Sequence, residues 1–252
     1  MIKRIKNIIS YLHQITIEQC AGEVSPYLEV NLLNGKYILD TAKVNYSYGP
    51  LHKIFDQTFH DFNLQEREIK NALILGFGAG SVAFLLTEKY GIGCEITGVE
   101  KDPVVIYLAR KYFNLKQFGS LQLICEDAYN YVQTTNKKFD AVIVDIYIDE
   151  EVPRCFHQKE FLMQVDRLLQ NNGVLFFNKV VNNPKQELEY YELASSIEEI
   201  FGSSLTYKLK RNGTNNNIII HDKRVTITES TFVKESERNK CITNKMIPPI
   251  GI

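Results

Sequence analysis

The sequence predicts an α/β fold in which a mostly parallel sheet carries helices on both faces. From about residue 70, apolar segments of strand character alternate with amphipathic helical segments, a rhythm typical of parallel sheets with right-handed crossovers. Residues 71–80 have the pattern of a buried strand that breaks into a glycine-rich turn and opens a helix. Residues 27–40 have the pattern of a β-hairpin, so a small N-terminal β-hairpin domain is expected to precede the main sheet.

The first sixty residues are predicted to combine this hairpin with two helices. Apolar residues recur at helical spacing near the start: Ile2, Ile5, Ile9 and Leu12. We expect this stripe to dock on the body of the protein, and the alternative is attachment to a membrane surface through the flanking lysines. Asn34-Gly35 between two alternating segments favours a type I′ turn. A helix over 50–62 begins at Pro50 and bridges to the main domain.

The main domain is predicted to contain five buried strands, over 71–76, 95–100, 121–125, 139–145 and 173–178. Helices over 158–170 and from Asn183-Pro184 to Phe201 should cover the sheet. Segments 205–209 and 217–221, joined by the polar turn 211–213, predict an antiparallel C-terminal strand pair at the sheet edge. The predicted divisions are therefore a hairpin region with its bridging helix over 1–66, a nucleotide-binding domain over 67–221 and a polar tail over 222–252.

Composition excludes several classes of protein. With 252 residues and 44% hydrophobic content the chain can bury a sizeable core. A formal net charge of −1 gives no overall attraction to nucleic acid or anionic lipid, and no run of eighteen apolar residues exists to span a membrane. The five cysteines are scattered and form no Cys-x-x-Cys pair, so we expect a reduced, cytoplasmic protein without a metal site.

The glycine-rich turn is the most informative functional motif. Gly76 and Gly78 let the backbone turn tightly and approach a ligand, and Gly80 permits close packing of the helix that follows. The second strand ends at Glu100, whose carboxylate can accept both hydroxyl protons of a ribose. These residues predict a nucleotide or nucleoside site, with a helix-capping role as the alternative for Glu100.

Two further acids follow strands. Asp127 comes after the third strand, where it could read the amino group of an adenine or simply cap a helix. Asp145 ends the fourth strand and caps no obvious helix, so a functional role is the preferred interpretation. Acids after consecutive strands line one rim of a parallel sheet, and this arrangement favours S-adenosylmethionine over a dinucleotide.

With these motifs placed, the chain resembles the spermidine synthase family over roughly residues 26–221, and in particular its methyltransferase-like members. The resemblance rests on Leu39-Asp40-Thr41 with Tyr46 and His52, and on four further runs: Gly76-Phe77-Gly78-Ala79-Gly80, Val99-Glu100-Lys101-Asp102-Pro103, Glu126-Asp127-Ala128 and Val144-Asp145-Ile146-Tyr147. The family pattern continues through Val152-Pro153, Glu160-Phe161-Leu162, Gly173-Val174-Leu175 and Asn178. It implies a class I S-adenosylmethionine-dependent methyltransferase (Rossmann-like) fold and a homodimer. It also implies a catalytic set of Asp145, Tyr147 and Asp149 and a substrate-binding set of Tyr46, Tyr48 and His52.

The chain departs from the pattern of the polyamine synthases. They typically carry a carboxylate at the fourth position of the glycine loop, where this chain has Ala79. That loss removes a charge-assisted hydrogen bond to the amine of decarboxylated S-adenosylmethionine, worth about 1.5–3 kcal/mol. The family motif Asp-x-x-Asp becomes Asp145-Ile146-Tyr147-Ile148-Asp149, so Asp149 is displaced by one residue and could belong to a solvated acidic loop. His52 is alternatively a packing residue.

Three functions remain open on this basis. The first is an S-adenosylmethionine-dependent methyltransferase of unknown acceptor, with Asp145 and Tyr147 holding the nucleophile. The second is a polyamine aminopropyltransferase that uses decarboxylated S-adenosylmethionine, with Asp145 as the base. The third is a catalytically silent nucleoside-binding or interaction module. The expected partner is a small-molecule acceptor such as a polyamine, with neither nucleic acid nor membrane.

Overall fold

The computed structural model describes residues 2–41, 45–47, 50–148, 151–211 and 214–224. The strands are β1 (Ile15–Cys20), β2 (Leu28–Leu33), β3 (Lys36–Thr41), β4 (Asn45–Ser47), β5 (Asn71–Leu75), β6 (Glu95–Glu100), β7 (Leu121–Cys125), β8 (Phe139–Val144), β9 (Leu169–Val180), β10 (Leu205–Arg211) and β11 (Thr214–Asp222). The helices are α1 (Ile2–Ile9), α2 (Pro50–Asp61), α3 (Ser81–Phe84), α4 (Pro103–Tyr112), α5 (Ala128–Thr134), α6 (Lys159–Leu168) and α7 (Pro184–Phe201). Residues 225–252, most of the predicted tail, lie outside the described residues.

The main sheet has seven strands in the order β10-β11-β9-β8-β5-β6-β7. Strands β5 to β9 pair in parallel, and β11 and β10 add the antiparallel pair at one edge. Helices cover both faces: Phe59 of α2 packs against Phe176 on one face, and Phe161 of α6 packs in the apolar cluster that contains Phe177 on the other. The predicted α/β architecture and the five central strands are confirmed.

The N-terminal unit is a four-stranded antiparallel sheet in the order β1-β2-β3-β4. Asn34 and Gly35 have φ values of 50° and 73°, as a type I′ turn requires at both central positions. The predicted hairpin is therefore confirmed as β2 and β3. Both of its outer edges are paired within the chain, by β1 on one side and β4 on the other, which protects the hairpin from pairing with other strands.

Two expectations about helices are wrong in part. The helix predicted over 158–170 ends at Leu168, because Leu169 already pairs with Phe139 and starts β9. The apolar stripe of the first helix does not dock on the body, since Ile5 is 49% exposed and Leu12 is 84% exposed. A buried serine on the other side of this helix, Ser10, contacts the hairpin instead. No helix of the described residues is both long and apolar enough to cross a membrane.

A buried ion pair joins the two ends of the main domain. Arg67, just before β5, donates from Nη1 to Oδ2 of Asp222 at 2.5 Å and from Nη2 to the carbonyl oxygen of Asn172 at 2.8 Å. The side chains of Arg67 and Asp222 are only 4% and 7% exposed. The last residue of β11 is thereby fixed to the segment that leads into β5.

Asp222→Ala is expected to lower the free energy of unfolding by about 3–5 kcal/mol, because it leaves the Arg67 guanidinium buried without its counter-charge. Urea unfolding followed by circular dichroism measures this change. Glu199→Ala is the matched control, since it removes an ion pair with Lys159 whose partners are 62% and 52% exposed. A change within about 1 kcal/mol is expected there. Equal losses in the two variants would contradict the structural role of the Arg67 pair.

Candidate active site

The glycine-rich loop after β5 has the tight backbone that the sequence predicts. Gly76, Gly78 and Gly80 have φ values of 85°, 55° and 89°, a region that residues with a Cβ rarely adopt. A Cβ at Gly76 would lie 2.2 Å from the carbonyl oxygen of Asp145, so the loop can contact the end of β8 only with glycine there. The loop and the end of β8 therefore share one rim of the sheet.

Glu100, the last residue of β6, holds this loop in place. Its Oε2 accepts a hydrogen bond from the N–H of Gly78 at 2.9 Å, and its Oε1 accepts one from the N–H of Asp102 at 3.0 Å. Burial raises the pKa of Glu100, against the lowering effect of these two N–H groups. The capping alternative is wrong for Glu100, because the N-cap of α4 is Asp102. A carboxylate can accept about four hydrogen bonds, so these two leave capacity for a ribose hydroxyl.

Asp127 caps helix α5, which is the alternative role predicted from the sequence. Its Oδ1 accepts a hydrogen bond from the N–H of Tyr129 at 2.8 Å and so caps α5, and its Oδ2 lies 2.9 Å from Nζ of Lys101. The side chain is 27% exposed. Asp127 follows β7 and lies on the same rim of the sheet as Glu100. Its carboxylate can therefore contact a ligand as well as cap α5.

Asp145 lies at the end of β8, where its carboxylate is hydrogen-bonded to a pair of side-chain amides. Its Oδ1 accepts a hydrogen bond from Nδ2 of Asn178 at 2.9 Å, and Oδ1 of Asn178 accepts one from Nδ2 of Asn216 at 3.4 Å. The register of the sheet explains this contact: Val144 of β8 pairs with Phe177 of β9, so the next residues, Asp145 and Asn178, come side by side. Burial raises the pKa of Asp145 to about 6, against the lowering effect of the Asn178 bond.

Two other polar side chains near this rim are buried without a hydrogen-bond partner in the described residues. They are the hydroxyl of Tyr147 and Nε2 of His157. Burial, and secondarily the charge of Asp145, raise the pKa of Tyr147 well above its ordinary value, so the phenol stays neutral. Burial, together with the charge of Lys179, lowers the pKa of His157 to about 4. Sequence reasoning missed the contributions of Asn216 and His157, and it used Asn178 only as part of a family pattern.

The remaining predicted residues are not described in full. Tyr48 and Asp149 lie outside the described residues, and the side chains of Tyr46 and His52 do as well. The backbone of Tyr46 lies in β4 and that of His52 in α2. Their roles in substrate binding and catalysis therefore stay predictions.

Comparison with known families accounts for this arrangement of glycines and acids. Residues 56–208 match the spermine/spermidine synthase domain. The chain belongs to the spermine/spermidine synthase family. The resemblance that the sequence motifs indicated is thus confirmed.

The curated relatives carry two kinds of name. The chain is 29% identical over 150 residues to a polyamine aminopropyltransferase of Vibrio vulnificus, a match that covers 58% of this chain and 48% of the relative. It is 25% identical over 150 residues to an eEF1A lysine and N-terminal methyltransferase homolog of Drosophila melanogaster, covering 56% of this chain and 22% of the relative. The chain spans about half the length of the polyamine aminopropyltransferases of Vibrio vulnificus and Sulfurisphaera tokodaii that it matches.

Solved structures agree on the fold. A probable spermidine synthase from Corynebacterium glutamicum superposes with a TM-score of 0.65 at 16% identity, covering 94% of this chain and 98% of that one. Human methyltransferase-like protein 13 in complex with SAH gives a TM-score of 0.56 at 17% identity, covering 73% and 88%. The class I methyltransferase fold with a small N-terminal β-sheet is therefore confirmed.

Asp145→Asn is expected to stabilise the protein at pH 8 relative to the unmodified chain. A carboxyl whose folded pKa is raised stabilises the folded state while it is protonated, and this contribution is lost as the pH rises from about 4 through about 6. The asparagine carries no charge, so the gain should reach about 1–3 kcal/mol at pH 8 and vanish near pH 4. Thermal unfolding at the two pH values measures the difference. A gain that does not depend on pH would argue against a buried, ionised Asp145.

Asn178→Leu is expected to raise the pKa of Asp145 further, because it removes the amide that stabilises the carboxylate. Titration of the Asp145 carboxyl carbon by ¹³C NMR measures the pKa directly. Asn216→Leu, which acts on Asp145 only through Asn178, should cause a smaller shift in the same direction. An unchanged pKa in Asn178→Leu would show that this bond does not control the ionisation of Asp145.

Proposed function

We propose that this protein is an S-adenosylmethionine-dependent transferase that moves a methyl group to an acceptor oriented by Asp145. The observation that carries the choice of methyl transfer is the environment of Ala79. This residue stands where polyamine synthases of the family typically carry an acid, and it is fully buried in an apolar cluster with Leu28, Leu39 and Val105. The side chains of the N-terminal sheet and of α4 thus surround this loop position.

A missing carboxylate at position 79 affects the two candidate ligands differently. Decarboxylated S-adenosylmethionine has a cationic amine without a carboxylate of its own, so it loses a charge-assisted hydrogen bond worth about 1.5–3 kcal/mol. S-adenosylmethionine carries its own carboxylate and does not need one from the loop. The apolar cluster around Ala79 therefore supports binding of the intact molecule.

The residues of the rim suit such a ligand. Glu100 is fixed by two backbone N–H groups and would accept hydrogen bonds from a ribose, and Asp127, which follows the neighbouring strand, would contact the adenine end. When bound, S-adenosylmethionine supplies the electrophilic methyl group on its sulfonium. The chain contributes orientation: with a pKa of about 6, Asp145 is mostly ionised at pH 7–8 and can hold or accept the proton of a nucleophile.

Aminopropyl transfer is the second candidate. It is supported by the names of the curated relatives, among them the Vibrio vulnificus polyamine aminopropyltransferase, and by Asp145 at the end of the fourth central strand. In this reaction Asp145 would accept a proton from the attacking amine of a polyamine. The homodimer that the family resemblance implies is part of either proposal.

Calorimetric titration with S-adenosylmethionine and, separately, its decarboxylated form tests the choice. The methyltransferase proposal expects the intact ligand to bind at least about tenfold more tightly, as the loss of one charge-assisted hydrogen bond requires. Glu100→Gln should weaken both ligands, whereas Glu95→Gln, at the exposed opposite end of β6, should weaken neither. Thermal unfolding of the Glu100→Gln protein shows whether its fold is retained.

The other outcomes have definite meanings. Tighter binding of the decarboxylated ligand would overturn methyl transfer in favour of aminopropyl transfer. Binding of neither ligand to the unmodified protein would contradict both proposals and leave the catalytically silent module.

A further inference from the structure

Helix α1 presents an apolar face to solvent. The side chains of Ile5, Ile8 and Leu12 are 49%, 70% and 84% exposed, and their spacing of three and four residues puts them on one side of the helix and of the turn that continues it. Tyr11 beside them is 64% exposed. Helices on a protein surface normally turn such a face inward, so this orientation needs a physical cause.

The cause is a set of hydrogen bonds on the opposite side of the helix. Ser10 is fully buried, and its carbonyl oxygen accepts a hydrogen bond from the N–H of Asn34 at 2.9 Å. Its Oγ accepts a second from the N–H of Gly35 at 2.9 Å. At 100° per residue, Ser10 lies roughly opposite Ile5 and Ile8. The β2–β3 turn thus fixes the polar side of α1 and leaves the apolar side outward.

The charge of this segment differs from that of the rest of the chain. Residues 1–17 contain Lys3, Arg4 and Lys6 and no acidic residue, while the remaining residues have a net charge of −4. The side chains of Arg4 and Lys6 are exposed on either side of the apolar face. An exposed apolar face with cations at its borders is typical of helices that lie in the interface of a lipid bilayer.

We propose that α1 docks this protein on the surface of an anionic lipid bilayer. Ile5, Ile8 and Leu12 enter the boundary between head groups and acyl chains, and Arg4 and Lys6 contact lipid phosphates. The proposal is independent of the transferase function.

Charge selects the lipid surface over a second copy of the chain. In a two-fold symmetric dimer the same patch meets itself, so an interface centred on α1 would bring Arg4 and Lys6 of the two copies close together. An anionic bilayer offers the opposite charge together with an apolar layer. A nucleic acid would match the cations but not the three exposed aliphatic side chains.

Flotation with vesicles tests the proposal, using phosphatidylcholine alone and phosphatidylcholine mixed with phosphatidylglycerol. The protein should float with the mixed vesicles, and added salt should weaken this binding because it screens the cations. Arg4→Gln/Lys6→Gln should reduce the partition coefficient roughly thirtyfold, as expected for two cations near an anionic surface. Ile5→Ser/Ile8→Ser should reduce it to the level of the neutral vesicles.

The matched control is Met163→Ser/Leu188→Ser, which removes two other exposed apolar side chains, 58% and 61% exposed, from α6 and α7. It should bind vesicles like the unmodified protein, and circular dichroism should show that all variants fold. Absence of flotation, equal binding to neutral vesicles, or binding unaffected by either α1 variant would each overturn the proposal. Light scattering that shows a dimer in the unmodified protein and a monomer in Ile5→Ser/Ile8→Ser, without flotation, would assign the face to contact between copies instead.

Discussion

The carboxylate of Glu100 is the contact on which the arrangement of the candidate site depends. It binds the N–H of Gly78 in the glycine loop and the N–H of Asp102 at the start of α4. Asp102 in turn caps α4, and its Oδ2 accepts a hydrogen bond from the N–H of Val24 at 2.9 Å. Gly22 lies close to the same carboxylate, since a Cβ at Gly22 would be 2.3 Å from Oδ2 of Asp102. Glu100 and Asp102 therefore connect the glycine loop, β6, α4 and the N-terminal sheet. Each of these buried carboxylates accepts hydrogen bonds from backbone N–H groups in place of water.

The same contacts set the chemistry available to the site. Because the N-terminal sheet lies against the loop, the side chain at position 79 faces apolar residues rather than an ion. The acids that the rim retains differ in their surroundings. Glu100 is held by backbone N–H groups, Asp127 caps a helix and pairs with Lys101, and Asp145 has a single neutral amide partner. Burial raises the pKa of Asp145 to about 6, so this carboxyl can change its protonation state near neutral pH, as a group that handles a substrate proton must.

The N-terminal sheet contacts both the candidate active site and helix α1. Leu28 and Leu39 of β2 and β3 pack around Ala79 and so close one side of the glycine loop. The turn between these strands binds Ser10 and orients α1 with its apolar face outward. One hairpin thereby contributes to the candidate active site at one place and to an exposed, cationic surface at another. Both edges of the hairpin are paired within the chain, by β1 and β4. The hairpin contacts α1 through its turn and the glycine loop through the apolar side chains of Leu28 and Leu39.

Features that depend on neighbouring residues could be predicted from the sequence alone. The type I′ turn follows from Asn34-Gly35, the loop geometry from Gly76, Gly78 and Gly80, and the cap of α7 from Asn183-Pro184, because turn and cap conformations are set within a few residues. The central strands and their acids followed from apolar runs with a polar end. Features that depend on contacts between distant segments could not be predicted, because those contacts form only in the folded chain. Leu169 belongs to β9 rather than to α6 because it pairs with Phe139. Asn178 lies beside Asp145 because of the register between β8 and β9. The apolar stripe of α1 faced solvent because Ser10 formed bonds to a turn twenty-five residues away.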